Sequence, residues 1–316
     1  MKRFCQVILF FLVILCCINI CLDLYVTHSL QQCQSRKFVG WSDITQKQLD
    51  ADLLIMGNSR AWSMYSPAIL DSILHVSTYN LGMDGSPLNR QIMKYDIYRH
   101  FQQRKPRYII MNIDYMTMGW RFGYEREQFF PYIRDEYMLK EIRKIEPFNV
   151  AELYIPMYRY LTYKGVRDLL VESWWEDGVY KGYLGEDEEW DEEFYKQIET
   201  LHFVKDDRTI TMLDSFLMSC KQEEIDVLFC YAPIYSGISQ KIDNFQEMLD
   251  TYQEYADRYD IRTLNYMESS LCDDTFYFRN ATHMNKKGAE LFSIRLAEDL
   301  EKLGIIQSEN GKIIEK

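Results

Sequence analysis

The chain has 316 residues, of which 47% are hydrophobic and 15% aromatic, enough for a globular domain with a large buried core. Its 48 acidic and 36 basic residues give a formal net charge of −12. This balance excludes a nucleic-acid backbone as the expected partner, because phosphate binding needs clustered cations. The eight cysteines contain no Cys-x-x-Cys pair, and no disulfide framework, metal site or organic cofactor is predicted.

An apolar segment begins the chain. The run from Phe4 to Leu22 is interrupted by only two polar residues and is close to the roughly 20 residues that cross a bilayer as a helix. Positive charges precede the run and none follows at once, which favours an N-terminus inside and the remainder outside. We predict a signal anchor over residues 1–30 and an extracytoplasmic domain, periplasmic or at the cell surface, over residues 31–316. A cleaved signal peptide is the alternative, although no Ala-x-Ala-like site follows the run.

Five short apolar runs predict the strands of one parallel sheet. Each run is bounded by polar or turn residues and separated from the next by a stretch of helical character, which is typical of an α/β fold. The predicted strands are residues 52–56, 77–82, 107–114, 225–231 and 261–266. Between them, Ser66 and Pro67 predict the start of a helix that ends at Leu74. The final helix is predicted from an apolar stripe formed by Ala289, Phe292, Leu296 and Leu300.

A long interval separates the third and fourth of these strands. Residues 115–220 are too many for a simple crossover and are rich in tryptophan and tyrosine, with an acidic tract at residues 186–193. We interpret the interval as a helical insertion that forms a cap near the functional site. No internal repeat or low-complexity linker indicates a second domain, so residues 31–316 are predicted to form one.

Two distant motifs carry the candidate chemistry. The first strand ends in a turn that presents Ser59, at the end of a parallel sheet where such folds bind ligands. The backbone N–H of Ser59 is placed to bind an oxyanion. His283 precedes the final helix, in a loop that is able to return to the same end of the sheet. The pair predicts a serine nucleophile and its base.

Other residues are predicted to complete the site. Gly82 follows the second strand and offers a second backbone N–H to the oxyanion. Asn112 and Asp114 are two residues apart at the end of the third strand, so their side chains point to one face. Arg60 is a candidate either for binding a substrate carboxylate or for a structural salt bridge, with Asp84 as the predicted partner.

This ordered set resembles the SGNH hydrolase superfamily of GDSL-like esterases, in particular its membrane-anchored branch that acts on cell-envelope glycans. The resemblance covers about residues 50–300 and implies a flavodoxin-like three-layer α/β/α sandwich around a central parallel sheet. It implies Ser59 as nucleophile, His283 as base and Gly82 as an oxyanion donor. It implies Asn112 as a side-chain donor where the strand register allows, although the family's Gly-x-Asn-Asp block reads Met-Asn-Ile-Asp in this chain.

The chain departs from the family at Asn280, where an Asp-x-x-His motif has an aspartate. An amide oxygen can orient the imidazole but adds no charge to stabilise the imidazolium. Asp273 or Asp274 is an alternative source of a carboxylate.

Two functions follow from these expectations. The first is a serine esterase or O-acyltransferase acting on acyl esters, expected to be acetyl esters, of an envelope glycan. The second keeps the fold without the chemistry and is a catalytically weak or inactive glycan-binding or assembly protein. The expected partners are an acylated carbohydrate, the membrane through the N-terminal helix, and envelope polysaccharide machinery.

Overall fold

The computed structural model describes residues 1–120, 125–163, 171 and 174–306. Its helices are α1 (Lys2–Gln31), α2 (Val39–Gln46), α3 (Ser59–Met64), α4 (Pro67–Leu74), α5 (Leu88–Phe101), α6 (Glu136–Ile142), α7 (Val150–Tyr154), α8 (Tyr158–Tyr163), α9 (Glu192–Gln197), α10 (Asp207–Gln222), α11 (Ser236–Ser239), α12 (Phe245–Tyr259) and α13 (Lys286–Lys302). Its strands are β1 (Leu53–Met56), β2 (Thr78–Asn80), β3 (Tyr108–Asn112), β4 (Asp226–Tyr231), β5 (Arg262–Asn265), β6 (Phe278–Asn280) and β7 (His283–Met284). Three short 3-10 helices are Arg126–Phe129, Ser270–Asp273 and Thr275–Tyr277.

The chain divides into two compact units. The first contains residues 1–47 and 122–178, and the second contains residues 48–121 and 179–316. The domain predicted for residues 31–316 has residues in both units. Residues 122–178 of the predicted cap group with the N-terminal helix, whereas the candidate site residues all belong to the second unit.

The second unit is built on a five-stranded parallel sheet with the order β2-β1-β3-β4-β5. The register pairs Ile55 of β1 with Asn80 on one side and with Ile110 on the other. All five predicted strands are present, with ends that differ from the prediction by at most two residues. The chain therefore has the predicted α/β sandwich fold.

Alternating side chains of the strands face two helical layers, because successive residues of a strand point to opposite sides. Ile55, Ile110 and Cys230 are fully buried on one face against α3, α4 and α13. This face also buries the predicted apolar stripe of α13, whose four residues are all inaccessible to solvent. On the other face, Phe229 packs against Tyr252 of α12, with ring centroids 6.0 Å apart.

A small hairpin joins the sheet to the last helix. Strands β6 and β7 are antiparallel and pair Asn280 with His283 across the two-residue connection Ala281-Thr282. Helix α13 begins directly afterwards, with Asn285 as its N-cap accepting a hydrogen bond from the Gly288 N–H at 3.0 Å. Buried packing of α13 thus fixes the base of the hairpin that carries His283.

The first unit is built around the C-terminal part of α1. Among the described residues, α1 is the one helix long and apolar enough to cross a membrane, by length and composition. Its residues Val26 and Leu30 are buried with Phe130, Met157 and Tyr160 of the insertion.

Candidate active site

A tight turn places Ser59 at the start of α3. Gly57 directly follows β1 with φ of +154°, and a Cβ there would lie 2.6 Å from Cβ of Ala61 and 2.9 Å from Cβ of Asn112. Glycine is therefore required for β1 and β3 to approach the first turn of α3. Asn58 caps the helix by accepting a hydrogen bond from the Arg60 N–H at 3.0 Å. Ser59 is partly exposed, and its N–H donates to no protein atom in the described part of the chain.

The structure brings Ser59 and His283 together as predicted. The hydroxyl oxygen of Ser59 lies 2.8 Å from Nε2 of His283. This distance is within the range expected between a nucleophile and its general base. The hairpin supplies the histidine and the β1–α3 turn supplies the serine, so the contact depends on both elements being held against the same end of the sheet.

Asn280 occupies the position of the orienting residue. Its Oδ1 lies 3.1 Å from Nδ1 of His283 and accepts the backbone N–H groups of Thr282 at 3.1 Å and His283 at 3.0 Å. Two backbone donors identify this atom as the amide oxygen, because an NH₂ group is unable to accept them. Nδ1 of the imidazole therefore carries the proton, and Nε2 directs its lone pair at the hydroxyl of Ser59.

Thr282 is a second orienting residue that the sequence reasoning missed. Its hydroxyl lies 2.9 Å from Nδ1 of His283 and 3.1 Å from Oδ1 of Asn280, so it accepts from the imidazole and donates to the amide. The sequence signal for this role was the position of Thr282 between Asn280 and His283, because so short a connection keeps its side chain close to both residues. The proposed substitutes do not take part: Asp273 and Asp274 are exposed, and Asp274 instead caps a 3-10 helix through the Phe276 N–H.

The electrostatic surroundings of His283 oppose its protonation. Burial, together with the guanidinium groups of Arg279 and Arg60, lowers the pKa of His283 to about 3. Arg279 is itself paired with Glu186 at 2.6 Å and Glu188 at 3.0 Å, which places part of the acidic tract beside the hairpin. The imidazole is therefore neutral and available as a base across the physiological range, but its imidazolium is poorly stabilised.

The prediction for Gly82 is corrected by its hydrogen bond. Its N–H donates to Oδ1 of Asn80 at 2.8 Å and does not face the site. The neighbouring Leu81 and Met83 donate their N–H groups to β1 and the following turn, so the intervening N–H points the other way. Gly82 is instead needed for close packing, because a Cβ there would lie 2.4 Å from the backbone nitrogen of Trp62 in α3.

The predictions for Asn112, Asp114 and Arg60 are corrected in the same way. Asn112 is fully buried, its Oδ1 accepts from the Tyr65 hydroxyl at 2.9 Å, and its Nδ2 donates to Oδ2 of Asp114 at 3.4 Å. Asp114 accepts from Nδ2 of Asn58 and pairs with the Arg60 guanidinium, both at 2.5 Å. These groups are consumed in holding the turn beneath Ser59, so Asn112 is not an oxyanion donor and Arg60 is a structural partner of Asp114 rather than a group open to substrate.

The site contains a serine hydroxyl, a neutral imidazole and an orienting amide, which together define an α/β protein with a serine–histidine pair at the carboxyl ends of its parallel strands. Across the described ranges, no group of three or more histidine, cysteine or acidic side chains is placed to hold a metal ion. The chemistry that this arrangement supports is nucleophilic attack by the Ser59 hydroxyl on a carbonyl carbon.

Comparisons with known proteins add little to this definition. No protein-family model matches the chain, and no curated protein matches it. Among solved structures, it is similar to a candidate acylhydrolase from Bacteroides fragilis at 13% identity, covering 79% of this chain and 86% of that one, with a TM-score of 0.38. It is also similar to a candidate lipolytic protein of the G-D-S-L family from Desulfitobacterium hafniense at 12% identity, covering 78% and 97%, with a TM-score of 0.39. A functional assignment therefore depends on the site itself.

Proposed function

We propose that this chain is a membrane-anchored serine esterase or O-acyltransferase of the SGNH hydrolase type. Its proposed substrates are acyl esters of a cell-envelope glycan, with acetyl as the acyl group. The observation that carries the proposal is the 2.8 Å contact between Ser59 Oγ and Nε2 of His283, with Nδ1 held by Asn280 and Thr282. The apolar helix α1 supports the anchor, and an envelope polysaccharide system would supply the substrate.

In the proposed reaction, Ser59 Oγ forms a bond to the acyl carbon while its proton passes to Nε2 of His283. The N–H of Ser59 donates to the resulting oxyanion. The imidazolium then gives its proton to the departing sugar oxygen, and an acyl-serine remains. Water completes an esterase cycle and a second sugar hydroxyl completes an acyltransferase cycle, each losing its proton to His283 as the acyl group leaves Ser59.

A second candidate is a glycan-binding or assembly protein with little or no turnover. The observation that favours it is the low pKa of His283, which follows from burial and two nearby guanidinium groups with no carboxylate on Nδ1. In the serine proteases, an Asp-to-Asn change lowers turnover by about 10⁴ because the imidazole takes the wrong tautomer. Here the amide oxygen maintains the correct tautomer, so only the charge is missing, and we place the esterase first.

Covalent labelling separates the two candidates. The full-length protein in detergent is treated with a fluorophosphonate probe, with Ser59→Ala as the negative variant and Ser72→Ala, an exposed serine of α4, as the matched control. The proposal expects labelling of the wild type and of Ser72→Ala, and none of Ser59→Ala. Absence of Ser59-dependent labelling in both the wild type and Asn280→Asp would contradict the enzyme and leave the binding protein.

An aromatic cluster beside the hairpin supports a glycan as the substrate. Tyr235 donates its N–H to the Ala281 carbonyl at 3.1 Å, and its ring centroid lies 4.8 Å from Trp190 and 5.3 Å from Tyr195. All three aromatic side chains are partly exposed. Flat apolar sugar faces pack on such rings. The three side chains therefore form a candidate sugar-binding platform that contacts the hairpin two residues before His283.

The platform is tested by comparing a large and a small substrate. Trp190→Ala is expected to raise KM for an acetylated oligosaccharide about tenfold, as one aromatic contact of about 1.4 kcal/mol predicts, without changing hydrolysis of an aryl acetate. Trp174→Ala replaces an exposed tryptophan of the other unit and serves as the control. Equal effects of Trp190→Ala on both substrates would assign Trp190 to the packing of the hairpin instead.

A further inference from the structure

The segment 147–162 of the first unit has its charges inside and its apolar side chains outside. Its two charged residues are buried, with Glu152 only 4% exposed and Arg159 inaccessible to solvent. Its exposed side chains include Val150 (74%), Tyr154 (77%), Ile155 (52%), Tyr158 (37%) and Leu161 (61%), which we call the apolar surface. Helices that face water show the opposite distribution, and exposed apolar patches of this kind mark interaction sites.

The buried charges connect this segment to the end of the apolar run in α1. Asp23 is the first acidic residue after that run and is itself inaccessible to solvent. Its Oδ1 accepts from the Met157 N–H at 2.9 Å and lies 2.9 Å from Nη1 of Arg159. Arg159 also donates to Thr27 at 2.9 Å, one turn further along α1. The segment is therefore fixed at the level of α1 where the apolar run ends.

From this geometry we infer that the apolar surface lies in the headgroup and upper acyl region of the same phospholipid bilayer that α1 crosses, so that the first unit is seated on the membrane rather than held above it. The inference rests on the proposed anchor. Tyrosine and aliphatic side chains are favoured at this depth, and a charged pair close to the bilayer is expected to be buried against its partner, as Asp23 and Arg159 are. Tyr154 and Leu161 are three and four residues along the chain from Met157, whose N–H binds Asp23.

The length of α1 supplies an internal reference for depth. From Asp23 to Gln31 the helix rises about 12 Å, whereas the polar layer on one side of a bilayer is about 6 Å thick. Gln46 is exposed and donates to the Gln31 carbonyl at 3.0 Å, so it lies above that layer although it belongs to the same unit. It is the matched control for a side chain that should not reach lipid.

Photocrosslinking of the full chain in phospholipid vesicles tests the inference. Benzoylphenylalanine replaces Tyr154, Leu161, Gln46 or Leu9 in turn, and each protein is irradiated in vesicles that contain a biotinylated phosphatidylcholine. Leu9 lies within the apolar run and reports the anchor. We expect crosslinks to lipid at Leu9, Tyr154 and Leu161, at least fivefold above the level at Gln46. All four positions are exposed, and retained far-UV circular dichroism verifies that each variant is folded.

The outcomes separate the inference from what it rests on. Crosslinking at Leu9 with Tyr154 and Leu161 at the level of Gln46 would overturn the seated surface and leave the anchor in place. Absence of crosslinking at Leu9 would overturn the anchor and, with it, the seated surface. Neither outcome affects the chemistry proposed for Ser59, because fluorophosphonate labelling of Ser59 reports on the second unit alone.

Discussion

Replacing Asn280 with aspartate changes the site by one charge with almost no change of shape. Oδ1 of Asn280 lies 3.1 Å from Nδ1 of His283. At about 4 Å between charge centres and an effective dielectric of about 20, a carboxylate attracts the imidazolium by roughly 4 kcal/mol. Because one pKa unit corresponds to about 1.4 kcal/mol, the pKa of His283 is expected to rise by about three units, from about 3 toward about 6. If half of this energy reaches the transition state, about 2 kcal/mol gives roughly a 30-fold gain in kcat/KM.

The pH profile of aryl acetate hydrolysis measures this change. In the wild type the imidazole is neutral well above its pKa of about 3, so kcat/KM is expected to be flat from about pH 5 to about pH 8. In Asn280→Asp, activity falls as the pH drops through about 6, because protonation removes the base. Asn285→Asp is the matched control, since it adds the same charge at the N-cap of α13, where the side chain accepts from Gly288 rather than from the imidazole. A flat profile for Asn280→Asp with kcat/KM within about twofold of the wild type would refute the electrostatic reasoning.

Three further substitutions test the supports of the site. Thr282→Val removes the hydroxyl that accepts from the imidazole, so kcat/KM is expected to fall about tenfold and to recover in Thr282→Ser. An equal loss of kcat/KM in both variants would show that the hydrogen bond makes no contribution. Asp114→Asn leaves the Arg60 guanidinium buried without its carboxylate, so the free energy of unfolding in urea is expected to fall by about 3–5 kcal/mol. A fall of less than about 1 kcal/mol would contradict the buried pair. Gly57→Ala combines left-handed φ with a clash and should lower Tm by more than Gly178→Ala, where φ is also positive but no atom lies within 4 Å of the new Cβ. Equal shifts would show that the clash relaxes.

The sheet and the contact between Ser59 and His283 were predictable from sequence because both depend on local pattern. Runs such as 52–56 and 225–231 are mostly apolar at consecutive positions, which is typical of strands in a parallel sheet covered by helices on both faces. The position of Ser59 follows from that sheet, since ligands bind at the carboxyl ends of the strands. His283 follows from its place directly before the last helix, which the apolar stripe of α13 makes unambiguous.

The roles of the surrounding polar residues were not predictable, because they depend on which donors and acceptors the fold brings within hydrogen-bond distance. The N–H of Gly82 is taken by the side chain of Asn80 two residues earlier, a local pattern that Asn commonly makes with its own backbone. Asn112 meets the hydroxyl of Tyr65, which is 47 positions away in sequence and carries no motif. Hydrogen bonds of this kind can be assigned to donors and acceptors only after the fold is known.

The grouping of part of the insertion with α1 was also not predicted, and one of the contacts between them involves a charge whose partner the sequence does not indicate. Asp23 follows the apolar run of α1 and looks like the polar end of a membrane segment. In the structure it accepts from Met157 and pairs with Arg159, more than 130 residues later, and this buried cluster joins that part of the insertion to α1. A buried charge requires a partner, but sequence does not name the partner when the separation is this large.

Loss of the predicted oxyanion donors has a consequence for how the site should be tested. The N–H of Gly82 is bonded to Asn80 and the amide of Asn112 to Tyr65 and Asp114, so the N–H of Ser59 is the one predicted donor that bonds no protein atom in the described residues. Each missing oxyanion donor lowers turnover by about 10² to 10³, and the uncharged Asn280 adds a further loss. A slow enzyme is therefore expected even where Ser59 is a competent nucleophile. Covalent labelling requires only a single attack by Ser59 and accumulates product over time, so it detects such a site at rates that a turnover assay would record as inactive.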